Sequence, residues 1–254
     1  MTTYGRALSA ELLKLKNTLA LRLTLIAPLV VVALVTLQWL LQRRSPVPAD
    51  ATPEGVWADY VGAIVGVFTF LMLPLYITLQ SALLAQLEHQ ERQWKHLLAL
   101  PLPRSSFYLA KLAALALLVL LSMLLLALVL IPLGGQLLHL RASIPIAGWP
   151  DVTALVQRLS QVYVCAALLI ALHTFIALRW KSFTVAVSIG MSATVMGFII
   201  GQSSEFGPWF PWTMPMQPLT KHPAPEIVML VSTLAALAVT ATALIEFGRR
   251  EFYD

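Results

Sequence analysis

The groups in this chain that could hold a metal, relay a proton or attack a substrate are few, and their spacing assembles none of those devices. His89 and His96 lie seven apart in a charged stretch with no further ligands beside them. An intramembrane protease would need an HExxH set, paired acids or a serine with a basic partner, and none is assembled here. Cys165 sits in an apolar run without a disulfide partner or a CxxC companion, so it is expected to be a small buried hydrophobe. His173 is the one titratable histidine inside an apolar run, where it could pack as a hydrogen-bonded core residue or relay a proton. Packing is the expectation. No G-x-x-x-x-G-K-[ST] stretch occurs, so the chain has no P-loop with which to cradle nucleotide phosphates.

The densest chemistry lies in Glu88 to Lys111, EHQERQWKHLLALPLPRSSFYLAK. Glu88 and Glu91 precede Arg92 and Lys95 at spacings that allow intrahelical pairing. Pro101 and Pro103 then end that helix, because the residue before a proline avoids helical backbone angles. Ser105 or Ser106 can cap the next helix, and Lys111 is expected at the lipid boundary. Trp94, Leu97 and Leu98 give the short helix an apolar side, which suits docking on a soluble partner or resting at the lipid interface.

Two other segments carry a pattern. Tyr4, Leu8, Leu12, Leu15 and Leu19 recur at helical spacing among Arg6, Lys14 and Lys16, which reads as an amphipathic helix on the membrane surface or as a positive lead that fixes topology. Glu205 to Glu226 contains six prolines, at positions 208, 211, 215, 218, 223 and 225, which exclude a continuous helix. With Trp209, Phe210, Pro211 and Trp212 it could form a re-entrant hairpin, an outer lid, or a plain aromatic-belt loop.

What must position these segments is a membrane. The chain is 59% hydrophobic and 11% charged, against about 25% charged in soluble domains. Six runs free of Asp, Glu, Lys and Arg approach the 20 or so residues that span a bilayer: Leu23 to Leu41, Tyr60 to Leu87, Leu112 to Leu138, Leu159 to Leu178, Ser182 to Ser204 and Ile227 to Ile245. Pro74 and Pro132 are the expected kinks or breaks. Gly62 with Gly66, and Gly197 with Gly201, are spaced for close helix approach. Of the 17 lysines and arginines, twelve fall on the side of the chain ends and five on the other, so both termini are expected to be cytoplasmic. That asymmetry accounts for the net charge of +5 without a nucleic-acid partner. Ala49-Asp50-Ala51 has the form of a signal-peptidase site, but the first apolar run exceeds a typical h-region and follows a 22-residue lead, so cleavage is not expected. The fold class is therefore all-α, a polytopic membrane protein in one domain over residues 1–254.

From Glu88, Glu91, Trp94, Leu97 and Leu98 through Leu100-Pro101-Leu102-Pro103-Arg104 to Lys111, the loop resembles the coupling-helix region of type-2 ATP-binding-cassette exporter permeases. The resemblance extends through Glu11-Leu12-Leu13-Lys14-Leu15-Lys16, the six spans and Phe247-Gly248-Arg249-Arg250-Glu251. Phe210-Pro211-Trp212-Thr213-Met214-Pro215 looks most like permeases of lantibiotic-immunity and bacitracin-resistance exporters. The resemblance implies a pair of permeases, alike or paralogous, above two ATPase subunits that hold the ATP and magnesium, with no cofactor in this chain. It places Glu88, Glu91, Arg92, Trp94, Lys95, Leu97, Leu98 and Pro101 in the element that docks on the ATPase. The implied setting is a bacterial inner membrane and the implied cargo hydrophobic or amphipathic, an antimicrobial peptide or a lipid-like compound. Rival readings are an ion-coupled or passive transporter, opposed by the absence of charge within the spans, and a membrane enzyme, opposed by the absence of a catalytic constellation.

Overall fold

A computed structural model describes residues 3–41, 52–90, 104–135, 148–180, 182–220 and 224–249, together with positions 139, 140 and 144. Among them, nine α-helices of eight residues or more follow the chain: α1 Thr3–Lys14, α2 Leu19–Leu41, α3 Pro53–Val67, α4 Leu73–Gln90, α5 Arg104–Val129, α6 Val152–Cys165, α7 Ala167–Arg179, α8 Phe183–Ile200 and α9 Pro225–Arg249. Five stretches are long and apolar enough to cross a membrane, and the bent pair α6–α7 makes a sixth. The expected all-α polytopic architecture is what the chain adopts.

The ends of the spans follow local chemistry rather than the limits of the apolar runs. Thr52 caps α3 by accepting the Gly55 N–H at 3.2 Å with Pro53 at the first helical position, so this span starts seven residues before Tyr60. Asp151 caps α6 through the Ala154 N–H, and Ser182 caps α8 through the Val185 N–H. The first span begins at Leu19, just after Asn17 turns the chain with a φ of 64°.

Pro74 and Pro132 do not break their helices. A π-helical turn, Phe68–Met72, joins α3 to α4 just before Pro74, and a second, Leu130–Gly134, prolongs α5 around Pro132. The wider turn makes room for a ring that would otherwise strike the preceding carbonyl. Pro28 lies within α2, which remains a single 23-residue helix.

The fourth span bends by 41° between α6 and α7, with Ala166 at the joint. Nothing in the local sequence demands this, since neither proline nor glycine is present. Ser232, buried on α9, repairs the exposed backbone by donating to the Cys165 carbonyl at 2.8 Å and accepting the Leu168 N–H at 3.2 Å. In a lipid environment such groups must find protein partners.

The main core joins α2, α3, α4, α5, α6 and α7 through residues such as Val31, Tyr60, Ile64, Phe68, Ile77, Leu115, Leu126, Leu155 and Leu169. Large apolar side chains, among them Leu25, Leu29, Leu34 and Leu37 on α2 and Leu230, Leu234 and Leu237 on α9, stay exposed in single file as lipid-facing stripes. A second cluster at one end gathers Ala85, Tyr108, Leu178, Ala186 and Phe247, and there Arg179 pairs with Glu246 at 2.8 Å. This end also carries α1.

Candidate functional site

The charged connection leaves the membrane domain between the end of α4 and the start of α5, so these two helices and whatever braces them form its base. Glu88 lies in the last turn of α4. Glu91, Arg92, Trp94, Lys95, Leu97, Leu98 and Pro101 lie outside the described residues.

At that base is a buried ionic knot. Lys111 sits two turns inside α5, and its side chain is only 4% exposed. A cation tolerates this position because it is fully engaged: its Nζ reaches Glu11 Oε2 of α1 at 3.0 Å and donates to the Leu84 carbonyl of α4 at 3.0 Å. Lys14 contacts the other Glu11 oxygen at 2.9 Å. One knot therefore ties α1 to both stems of the connection. Burial by itself would raise the Glu11 carboxyl, but the attraction of Lys111 together with Lys14 outweighs it and holds the group below its usual value of 4.5.

The knot also shows which face of α1 packs on the bundle. The stripe that docks on α5 is Ala7, Glu11 and Leu15, while Tyr4, Leu12 and the first residue of the next helix, Leu19, are exposed. The docking stripe is centred on an acid, which a search for apolar periodicity passes over. Outward-facing Tyr4, Leu12 and Leu13 remain suited to a membrane surface.

Above the knot a polar cluster joins α2, α4 and α5. Tyr76 donates to the Leu118 carbonyl at 3.1 Å and shares a 2.8 Å hydrogen bond with Thr24, while Gln80 donates to the Ala20 carbonyl at 2.7 Å and to Thr24 at 3.2 Å. Such bonds between spans hold helices together where lipid offers no hydrophobic drive.

On the far side of the bundle, the proline-rich stretch folds into two short 3-10 helices, Gly207–Trp209 and Met214–Leu219. Pro208, Thr213, Met214, Pro215 and Gln217 are buried, so protein surrounds this irregular backbone. Trp209 is 44% exposed, whereas Phe210, Pro211 and Trp212 are half-buried. Trp212 meets the His173 ring edge-on at a centroid distance of 5.5 Å and packs with Phe210 at 5.4 Å. Because His173 is six residues, about 9 Å, from the α1-side end of α7, the segment reaches well into the bundle. A cavity of about 480 Å³ lies between this segment, the end of α8 and Phe70 of the first π turn, lined by Gln202, Ser203, Trp209, Gln217 and Thr220 among others.

His173 is a core residue in geometry. Thr78 spends its proton on the Pro74 carbonyl at 2.8 Å, so the 3.2 Å contact to His173 requires the proton on Nε2. Nδ1 then carries a lone pair and has no partner among the described residues. A relay needs a second partner, and the structure gives it none there.

The glycine pairs behave differently from one another. Gly62 and Gly66 leave open space where a Cβ would stand. Gly197 and Gly201 face Thr213, Trp212 and Phe210 of the proline-rich stretch rather than another span. The closest helix approach is at Gly190, where a Cβ would collide with Thr78 and lie 2.6 Å from His173 Cε1, and at Gly135, where it would strike the Trp57 ring. Neither belongs to a GxxxG pair, so spacing alone could not reveal them. Among the described residues no three His, Cys, Asp or Glu side chains cluster to hold a metal.

No curated protein matches the chain. Its residues 7–200, from the docking stripe of α1 to the end of α8, match the family model described as ABC-2 family transporter protein. With its transmembrane bundle and the base of a charged connection in place, the chain belongs to the ABC-2 transporter family as a membrane-embedded permease subunit.

Proposed function

We propose that this permease is an exporter subunit of a bacterial inner membrane, with both termini cytoplasmic, that moves a hydrophobic or amphipathic cargo with ATP hydrolysed elsewhere. The cargo class is an antimicrobial peptide or a lipid-like compound, as in the lantibiotic-immunity and bacitracin-resistance exporters that the chain resembles. Two ATPase subunits hold the ATP and magnesium, and a second permease, identical or paralogous, completes the assembly. The connection carrying Glu88, Glu91, Arg92, Trp94, Lys95, Leu97, Leu98 and Pro101 seats on the ATPase, and Trp209, Phe210, Pro211 and Trp212 form a lid on the opposite side.

The observation that carries this reading is the braced base of the connection. Lys111 fastens the Leu84 carbonyl of α4 and Glu11 of α1 to α5, so a push on the connection is delivered to three helices together. A rigid stem is what a force-receiving loop needs. The test is purification with the neighbouring gene products in mild detergent. Recovery of an ATPase, its loss on Glu91→Ala/Leu97→Ala, and nucleotide-dependent movement of a labelled amphipathic peptide in proteoliposomes are expected. Movement of the peptide by the chain alone, without nucleotide, refutes it.

A further inference from the structure

We infer that Glu11 and Lys111 are positioning residues of coupling: their buried ion pair seats α1 on the loop stem, so that motion of the connection reaches α2 through α1 as well as through α4 and α5. The inference rests on the reading of the connection as the ATPase-docking element.

Three observations carry it. First, α1 docks through a narrow stripe, Ala7, Glu11 and Leu15, in which the central residue is charged and the flanking alanine offers little apolar area. Seating therefore rests on Leu15 in the main core and on an ion pair at the centre of the stripe. Second, the pair is closed off from solvent, with Glu11 and Lys111 side chains 5% and 4% exposed, which gives it a geometry that an exposed pair would not keep. Third, the same Nζ binds the Leu84 carbonyl near the end of α4. A displacement of either stem thus shifts the anchor of α1. The short turn through Asn17 then joins α1 directly to α2.

A buried pair of this kind is weak evidence for stability, because an apolar pair of like volume often serves as well; its better-supported use is to fix one arrangement against others. Here the competing arrangement is α1 released from the stem. Removing Glu11 takes the carboxylate away from both Lys111 and Lys14, and breaking a buried ion pair in this way is strongly unfavourable.

The test uses the complete complex with its ATPase. Ala7→Cys places a thiol in the docking stripe, and the native Cys165 is fully buried and gives little background. With Glu11→Gln added, maleimide labelling of position 7 is expected to rise roughly a hundredfold, the scale of breaking a buried ion pair. The amount of labelled cationic amphipathic peptide moved per ATP is expected to fall at least about tenfold, with the ATPase still bound and hydrolysing. Glu11→Gln/Lys111→Met, which removes the buried lysine charge as well, is expected to return both readings toward the parent. If Glu11→Gln does not accumulate, Glu11→Asp, which keeps the charge but withdraws it, is expected to raise labelling and lower movement per ATP by a smaller factor. Unchanged labelling refutes the seat, and increased labelling with unchanged movement per ATP refutes its role in coupling. Absence of any ATP-dependent movement in the parent complex refutes the exporter reading instead, and the labelling result then judges the seat alone.

Discussion

Replacing Ser232 by alanine removes one hydroxyl from α9 and leaves two backbone groups of another helix without partners. The Cys165 carbonyl ends α6 and the Leu168 N–H begins α7, and both bond to Ser232 Oγ, at 2.8 Å and 3.2 Å. Helix ends always leave such groups, and water satisfies them at a protein surface. Here Cys165, Leu168 and Ser232 are all buried, so no water replaces the lost bonds. A hydrogen bond between membrane spans averages about 0.6 kcal/mol, and a buried group stranded by mutation costs about 1–3 kcal/mol. Because the bend can relax toward a straighter helix that pairs Leu168 within its own span, the lower part of the combined range applies, giving about 1–3 kcal/mol for the two. Reversible unfolding in mixed detergent micelles, followed by circular dichroism, measures it. Thr233→Ala is the internal control, since Thr233 is exposed and bonds only to Met229 of its own helix at 2.8 Å. Equal stability of Ser232→Ala and Thr233→Ala refutes the reading of Ser232 as the partner that holds the joint.

Three further outcomes follow from the packing and electrostatics. Gly190→Ala forces a methyl group into Thr78 and His173 and is expected to cost about 1–3 kcal/mol and lower the melting temperature, whereas Gly62→Ala and Gly66→Ala meet open space within the chain and leave the isolated permease unchanged. Trp212→Phe retains the ring packed on His173 and loses an N–H that has no partner among the described residues, so its melting temperature stays near the parent's while Trp212→Ala falls well below both. Glu11 is held below its usual 4.5, so its contribution is complete above that pH and is lost as the pH falls through the depressed value. A spin label at Leu8→Cys is expected to stay immobile from neutral pH down to about 4.5 and to loosen only in stronger acid, while Glu11→Gln is loose throughout.

How much of this was legible in the sequence depends on whether the physics is local. The six spans were legible because each is a long run without charge, and lipid punishes any exception strongly enough to leave that mark in composition. Pro74 and Pro132 were legible as perturbations, but proline chemistry alone does not decide between a break and the π turns that accommodate both. The bend at Ala166 was hidden because the group that satisfies its backbone, Ser232, lies 66 positions away on another span. The burial of Lys111 was hidden for the same reason, since its partner Glu11 is a hundred residues earlier. The same holds for the glycines, where a four-residue spacing selected Gly62 and Gly66 but the close approach is at Gly190, whose partner Thr78 lies on α4.

The buried polar groups serve two structural purposes. In α2, α4 and α5 they join one helix to the next, Thr24 to Tyr76, Tyr76 to the Leu118 carbonyl, Gln80 to the Ala20 carbonyl and Lys111 to the Leu84 carbonyl, so these three helices are laced together on the side of the connection. Tyr163 likewise ties α6 to the Ala116 carbonyl of α5, and Thr78 meets His173 of α7, while other buried side chains close discontinuities, Ser232 at the α6–α7 joint and Thr213 at the carbonyls of Gly207 and Phe210 in the proline-rich stretch. Hydrogen bonds that cross between intact helices resist relative movement, whereas bonds that close a helix break make the break tolerable in lipid and leave it the place where the angle can change. On the proposed coupling, a force entering at the Glu11–Lys111 knot meets the laced α2, α4 and α5 first. The breaks where an angle can then change are the bend at Ala166 and the stretch containing Trp212, which touches α7 through His173 and α8 through Gly197.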